Sequence, residues 1–215
     1  MRQILLVRHG QASWGADDYD VLSELGESQA AVVGRWLAST VLAGRVPDVV
    51  VHGTMKRQQR SAEIAASAAG WPVSTVTDER WNEIDHVGVL AAHPQDFESD
   101  PDDEQFPAWF TGATNRWASG EFDHEYAESF AGFRSRVLDA LAEVSSAGTA
   151  VIFTSGGPIS MVAADLLAAG LDTYNLLAAA VANASITRLV SGAGGLSLSS
   201  FNEHAHLSPE VLTRR

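Results

Sequence analysis

Short runs of apolar residues alternate along the chain with longer stretches in which apolar positions recur at helical spacing. Three of these runs, at 3–7, 47–53 and 71–77, predict strands. A fourth run, at 149–157, is almost continuously apolar and ends in two glycines, which predicts a strand buried on both faces. Two late runs, separated by the sequence Ser-Gly-Ala-Gly-Gly, predict a closing β-hairpin.

The stretches between the strands predict helices. Residues 22–44 place apolar side chains at positions i, i+3 and i+4, with Ser23 as the N-cap and Gly44 as the stop. The same reasoning predicts helices at 56–70, 129–148 and 158–170. Because strands and helices alternate, we expect an α/β fold with three α/β/α layers, a mostly parallel central sheet and a C-terminal hairpin.

Residues 86–127 interrupt this alternation. They are rich in Asp, Glu and Pro and also in aromatic residues, which predicts a partly helical insertion over the active-site rim. The aromatic residues of the insertion either cover the pocket or form a small core of their own: Phe97, Phe106, Trp109, Phe110 and Trp117. No stretch has the composition of a linker, so we expect a single domain spanning residues 1–215.

Charge and composition exclude several classes of function. The formal net charge of −13 argues against binding to nucleic acid or to an acidic membrane surface. The absence of cysteine excludes disulfides, thiolate catalysis and cysteine-ligated metal sites. No apolar run approaches the roughly 18 residues of a membrane span, and the N-terminal run is too short for a signal peptide. We therefore expect a cytoplasmic protein without nucleic-acid or membrane partners, and a homodimer is compatible with the sequence.

Polar residues follow three of the predicted strands at the point where each strand ends. Arg8 and His9 follow the first strand, His52 follows the second, and residues 154–157 follow the strand that starts at 149. The carboxyl ends of parallel strands meet at one edge of a sheet, where ligands of such folds bind. The sequence therefore predicts one ligand site at this edge.

The residue types at this edge suit an anion such as phosphate. Arginine offers a planar fork of donors to phosphate oxygens, and an imidazole can accept a phosphoryl group or move a proton. Arg57 lies at the start of a predicted helix, where the helix dipole disfavours a cation unless an anion offsets it. Alternatives remain open at this point: Arg8 and His9 can simply solvate a strand end, Arg57 can be an ordinary surface residue, and Glu83 can belong to a solvated acidic loop.

Several segments resemble the signature blocks of the histidine phosphatase superfamily, which has the phosphoglycerate-mutase-like fold. In chain order, the segments are LLVRHGQAS, YDVLSELGESQA, GTMKRQQRSAEIA, NEIDHVG, VIFTSGGPIS and NEHAHL. The first segment is specific by itself, and the others gain specificity from their order along nearly the whole chain.

This resemblance implies metal-independent phosphoryl transfer through a phosphohistidine, without a cofactor. It makes His9 the nucleophile, Arg8 and Arg57 the residues that hold the phosphate oxygens, and Glu83 the proton donor to the leaving alcohol. Two neighbouring guanidinium groups would lower the pKa of His9 and keep its imidazole neutral. We further expect five residues to contact a small phosphorylated substrate: Gln11, Trp14, His86, Ser155 and Gly156.

The chain departs from the family pattern at three positions. Ser155 stands where the family has a second histidine, so the pocket lacks one potential cation, a loss that we hypothesise His86 partly offsets. Gly53 replaces the serine that opens the block around Arg57, and Ala12 replaces a threonine or serine after the first signature.

Three functions are compatible with these observations. Hydrolysis of a phosphomonoester is favoured. The mutase branch has the sequence Tyr-Gly-x-Leu-x-Gly near its acidic residue, and the region around Glu83 does not resemble it. A catalytically weak relative that binds a phosphate ligand is the alternative suggested by Ser155, and a phosphoglycerate-mutase-type isomerase is the third. The physiological substrate and the oligomeric state stay open.

Overall fold

The computed structural model describes residues 2–13, 18–72, 74–94 and 105–214. A six-stranded sheet lies at its centre, with the strands in the spatial order β3-β2-β4-β1-β5-β6. The strands are β1 (Arg2–Arg8), β2 (Val49–His52), β3 (Thr75–Thr77), β4 (Thr149–Thr154), β5 (Ile186–Gly192) and β6 (Gly195–Glu203). The first four are parallel, whereas β5 pairs antiparallel with β1, and β6 pairs antiparallel with β5. The predicted mostly parallel sheet and closing hairpin are confirmed.

The helices pack on this sheet largely where the sequence predicts them. They are α1 (Glu24–Trp36), α2 (Lys56–Ala69), α3 (His86–Ala91), α4 (Gln105–Ala118), α5 (Phe130–Val144), α6 (Gly156–Leu166) and α7 (Leu171–Ala180). The side chain of Ser23 caps α1 by accepting the N–H of Gly26, and Gly70 ends α2 with a left-handed φ of 68°. Among these helices, none combines the length and apolar character needed to cross a membrane.

Two elements differ from the sequence prediction. The helix α7 was not predicted, because only Tyr174 along it is buried and its apolar residues form no clear stripe. The strand β3 is shorter than the predicted 71–77, since Trp71 donates its N–H to Ala66 and so belongs to the end of α2. As an edge strand, β3 pairs only with β2.

Alternation along β1 creates the three layers. Ile4 and Leu6 pack into an apolar core with α5 and α6, whereas Leu5 and Val7 pack into a second core with α1 and α2. The predicted α/β/α arrangement is therefore confirmed. The same alternation places Arg8 towards the α6 side of the sheet and His9 towards the α2 side.

The aromatic residues of the insertion do not share one environment. Trp117 on α4 is 1% exposed and meets Phe130 edge to face, with ring centroids 5.1 Å apart, so it belongs to the core rather than to a pocket. Phe106 is 44% exposed and lies beside Phe110, 6.0 Å from it between ring centroids. Phe97 lies outside the described residues.

The close approach of α1 and α2 depends on a glycine. A Cβ atom added at Gly34 would lie 2.3 Å from the carbonyl oxygen of Ala65, so the two backbones touch at this point. The contact matters for the site because α2 carries Arg57.

We expect Gly34→Ala to lower the free energy of unfolding by about 1–3 kcal/mol, because the added methyl group must push two backbones apart. This loss should exceed the gain of about 1 kcal/mol in helix propensity. Urea denaturation of the wild type and the variant measures the difference in the free energy of unfolding. Gly192→Ala is the matched control, since an added Cβ there meets nothing within 4 Å. Equal stability of the wild type and Gly34→Ala would contradict the packing described here.

Candidate active site

His9 lies at the carboxyl end of β1 and is almost completely buried. Its backbone N–H donates to the carbonyl of Thr154 at 2.9 Å, which extends the pairing of β1 with β4 by one bond. Its side chain is 3% exposed, and Nδ1 lies 2.6 Å from the carbonyl oxygen of Gly10. Because a carbonyl only accepts, Nδ1 must carry the ring proton. The other nitrogen, Nε2, therefore presents an unprotonated lone pair.

Arg57, at the start of α2, contacts that lone pair. It is the second residue of α2 and only 5% exposed, and its Nε–H donates to Nε2 of His9 at 3.2 Å. The alternation of β1 turns His9 towards α2, and the start of α2 places Arg57 within reach. The sequence could not show this contact, because the two residues are 48 positions apart.

The surroundings hold His9 in its neutral form. Burial is the largest cause and lowers the pKa of His9 well below its ordinary value, and the charges of Arg57 and Arg8 lower it further. The hydrogen bond to the Gly10 carbonyl acts in the opposite direction but is the weakest of these effects. The net effect of these groups favours the neutral imidazole.

Arg8 approaches from the other face of the sheet. Its Nη1 donates to the carbonyl of Val181, with a second contact of 3.3 Å to the carbonyl of Arg214. Its Nε is buried and has no hydrogen-bond partner within the part of the chain that the structure describes. Burial lowers the pKa of Arg8, while the charge of Glu83 opposes that change.

Glu83 sits against the first turn of α6. Both of its carboxylate oxygens lie 3.1 Å from the backbone N–H of Gly157, so the carboxylate occupies the positive end of the helix. A Cβ at Gly157 would lie 2.1 Å from Oε1 of Glu83, so only glycine leaves room for this contact. Arg136 fixes the loop before Glu83 by donating to the carbonyls of Arg80 and Asn82, each at 2.8 Å.

The departures at Gly53 and Ser155 are linked through one buried glutamine. Nε2 of Gln58 donates to Oγ of Ser155 at 2.8 Å, and a Cβ at Gly53 would lie 2.0 Å from Oε1 of Gln58. A serine at position 53 would collide with this amide. Two of the three departures from the family pattern therefore adjoin the same buried side chain.

Asp20 belongs to the site and was missed by the sequence analysis. Its Oδ1 accepts from Nη1 of Arg57 at 2.6 Å, and its Oδ2 accepts the backbone N–H of Lys56 at 2.9 Å. The helix dipole disfavours a cation such as Arg57 at the start of α2, which indicated that an anion lies nearby. The carboxylate of Asp20 is such an anion. Asp20 lies 37 positions from Arg57, so nothing in the local sequence assigned it this place.

The remaining candidate residues are distributed around this centre. Oε1 of Gln11 accepts from the hydroxyl of Ser23 at 3.0 Å, which turns the amide towards the start of α1. His86 opens α3, and its ring centroid lies 6.4 Å from that of Tyr19, which in turn lies beneath the guanidinium of Arg57. Gly156 is the first residue of α6. Trp14 lies outside the described residues.

Together these groups can bind an oxyanion and transfer it. Two guanidinium groups supply donors and positive charge, an unprotonated ring nitrogen supplies a nucleophile, and a carboxylate can exchange a proton. These are the requirements of phosphoryl transfer to a histidine.

Comparison with known proteins also indicates a family that transfers phosphoryl groups. The family model described as the histidine phosphatase superfamily (branch 1) matches residues 4–204. A 2,3-bisphosphoglycerate-dependent phosphoglycerate mutase of Corynebacterium diphtheriae is 34% identical over 115 residues, which is 50% of this chain and 45% of that protein. A probable phosphoglycerate mutase of Erwinia tasmaniensis is 30% identical over 88% of this chain and 85% of its own length.

Phosphatases are also among the similar proteins. A glucosyl-3-phosphoglycerate phosphatase of Mycolicibacterium vanbaalenii is 28% identical over 88% of this chain and 84% of its own length. The solved structure of a phosphoserine phosphatase mutant from Entamoeba histolytica, in complex with phosphoserine, superposes with a TM-score of 0.68. It is 19% identical and covers 97% of this chain and 100% of that chain, so it supports the fold alone.

The neutral state of His9 predicts a specific pH dependence of stability. The pKa of His9 is lower in the folded than in the unfolded chain, so its stabilising contribution is present above about pH 6.5 and is lost as the pH falls towards the folded pKa. His9→Gln should remove this part of the acid sensitivity, worth about 1.4 kcal/mol for each pH unit below about 6.5. Denaturant unfolding at several pH values measures it.

The exposed His124 provides the control for that experiment. Its side chain is 78% exposed, so His124→Gln should leave the pH dependence of unfolding as it is in the wild type. If His9→Gln shows the same acid sensitivity as the wild type, the pKa of His9 is not depressed.

Proposed function

Because this chain belongs to the histidine phosphatase superfamily, we propose that it is a metal-independent phosphomonoester hydrolase that works through a phosphohistidine on His9. One observation carries the proposal: a buried imidazole, protonated on Nδ1, presents its unprotonated Nε2 to the Nε–H of Arg57. A histidine serving only the core would have no need of a buried guanidinium beside that lone pair.

In the first step the phosphoryl group binds between Arg8 and Arg57. Nε2 of His9 attacks phosphorus, the bond between phosphorus and the leaving oxygen breaks, and Glu83 donates a proton to that oxygen. Charge that develops on the phosphoryl oxygens is stabilised by the guanidinium donors. Removal of one such donor typically costs about 3–4 kcal/mol, or a factor of roughly 10²–10³ in rate.

In the second step a water molecule attacks the phosphohistidine. Glu83 accepts a proton from this water, the nitrogen–phosphorus bond breaks, and inorganic phosphate leaves with His9 restored to its neutral form. The proton that Glu83 donates in the first step is regained in the second, so the two steps together need no cofactor or metal ion. The contact of Glu83 with the Gly157 N–H supports this role, because it holds the carboxylate in one place during both transfers.

The sequence around Glu83 supports hydrolysis over mutase activity, because it lacks the Tyr-Gly-x-Leu-x-Gly segment of the mutase branch. Relatives of both names match the chain.

The second candidate is a weak relative that binds a phosphate ligand without useful turnover. The burial of Ser155 favours it, since its hydroxyl accepts from Gln58 and cannot replace the charge of an imidazole. We retain His86 as the group that partly offsets this loss, because it stands beside Tyr19 at the edge of the site.

Turnover of p-nitrophenyl phosphate in the presence of EDTA tests the proposal. We expect hydrolysis to persist, and His9→Ala to reduce kcat/KM at least about a thousandfold because the nucleophile is lost. Rapid quenching should trap an acid-labile, base-stable phosphate label on the wild type and none on His9→Ala. The exposed His124→Ala variant should behave as the wild type.

Other outcomes would identify the alternatives. A requirement for 2,3-bisphosphoglycerate would indicate a mutase, and loss of activity in EDTA would contradict the metal-independent route. Binding of inorganic phosphate without measurable turnover would favour the weak relative.

The role of Glu83 predicts a dependence on the leaving group. We expect Glu83→Gln to slow the hydrolysis of an alkyl phosphate at least tenfold more than that of p-nitrophenyl phosphate, because p-nitrophenolate leaves without needing a proton. The ratio of kcat/KM values for the two substrates measures the effect. The nearby, exposed Glu79→Gln should leave the ratio unchanged, and an equal loss on both substrates would assign Glu83 a different role.

A further inference from the structure

We propose that Asp20 is a positioning residue, which holds the guanidinium of Arg57 beside His9 with its Nε–Nη2 edge available to a phosphate. The catalytic consequence of this inference rests on the proposed function, but the geometric claim does not. Asp20 lies on the segment before α1, and the sequence motifs assign it no role.

The carboxylate of Asp20 is itself held by two consecutive residues of α2. Its Oδ1 accepts from Nη1 of Arg57 at 2.6 Å, and its Oδ2 accepts the backbone N–H of Lys56 at 2.9 Å. Met55, the N-cap residue of α2, makes no capping bond with its side chain. Asp20 thus provides the cap that the helix lacks, and a carboxylate at this end also complements the helix dipole.

The nitrogens of the Arg57 guanidinium have separate partners. Nη1 donates to Asp20 and Nε donates to His9, while Nη2 makes no hydrogen bond to any part of the chain that the structure describes. Nε and Nη2 form one edge of the planar group, which can meet two phosphate oxygens together. Asp20 occupies the nitrogen outside that edge. Its geometry therefore favours orienting Arg57 over competing with a bound phosphate.

The tyrosine beside Asp20 supports the same orientation. The guanidinium of Arg57 lies over the ring of Tyr19 at 5.5 Å from its centroid, so the segment 18–20 contacts this group through both an aromatic ring and a carboxylate. The segment is joined to α2 a third time by the ion pair of Asp18 with Lys56, which is exposed and does not touch Arg57.

The charged groups that act on His9 come from two elements. Arg57 faces it from α2 and Arg8 from its own strand, and Glu83 acts on Arg8 from the loop after β3. Asp20 is not among the main direct causes of the low pKa of His9, so it acts on this imidazole through Arg57. When Asp20 is removed, Arg57 loses its anchor, and we expect the pKa of His9 to rise.

The direct electrostatic effect has the opposite sign. Taking away a negative charge near an imidazole disfavours its protonated form and lowers the pKa. A rise of the His9 pKa in Asp20→Asn therefore reports a displaced Arg57, and it cannot come from the charge change alone.

The test is a pH titration of the His9 ring followed by NMR in the full-length protein without substrate. In Asp20→Asn we expect the pKa of His9 to rise by about one unit. Asp18→Asn is the matched control, because it removes the same charge from the same segment without touching Arg57, and it should leave the pKa of His9 unchanged. In an Arg57→Ala background, Asp20→Asn should cause no further rise.

An unchanged or lower pKa of His9 in Asp20→Asn would overturn the proposal, as would an equal rise in the Arg57→Ala background. Kinetics add a second readout: we expect kcat of Asp20→Asn to fall about tenfold, with KM changed far less. A higher kcat/KM together with tighter binding of inorganic phosphate would show that Asp20 competes for the pocket, and would also overturn it. If the wild type shows no turnover, the proposed function fails, while the NMR titration still decides the role of Asp20.

Discussion

The hydrogen bond from Nε of Arg57 to Nε2 of His9 is the contact on which the site depends. It joins the end of β1 to the start of α2, and both partners are buried. Burying an imidazole beside two guanidinium groups is tolerable only when the ring is neutral, since a third positive charge there would have no counterion. The arrangement therefore selects the uncharged form of His9.

Two helix N-termini border the site, and a carboxylate from elsewhere in the chain occupies each of them. Asp20 accepts the first N–H of α2, and Glu83 accepts the N–H of Gly157 in α6. Free helix ends of this kind attract anions. With both ends occupied, the attraction for a phosphate falls mainly to the guanidinium groups of Arg8 and Arg57. This explains how a chain with a net charge of −13 can still be arranged to bind an anion.

Two of the three departures from the family pattern are easier to understand together. Gln58 occupies the space beside Gly53, where the family has serine, and donates to Ser155, where the family has a second histidine. Replacing a single one of these residues would leave a clash or an unpaired polar group, because the three share one buried volume. The serine in place of the second histidine is thus part of a packed arrangement and not an isolated loss.

Period-two and period-3.6 patterns in the sequence determined the sheet, most of the helices and the edge at which polar residues gather, because burial of alternate residues leaves that signal locally. They also determined that His9 and Arg57 lie at a strand end and a helix start, and that Glu83 follows the third strand. The tertiary structure alone decided the contacts among them. The place of Asp20 at the start of α2, the pairing of Gln58 with Ser155 and the packing of α7 all join residues that are distant in sequence or lack a periodic stripe. Such contacts depend on distance in space, which no local pattern encodes.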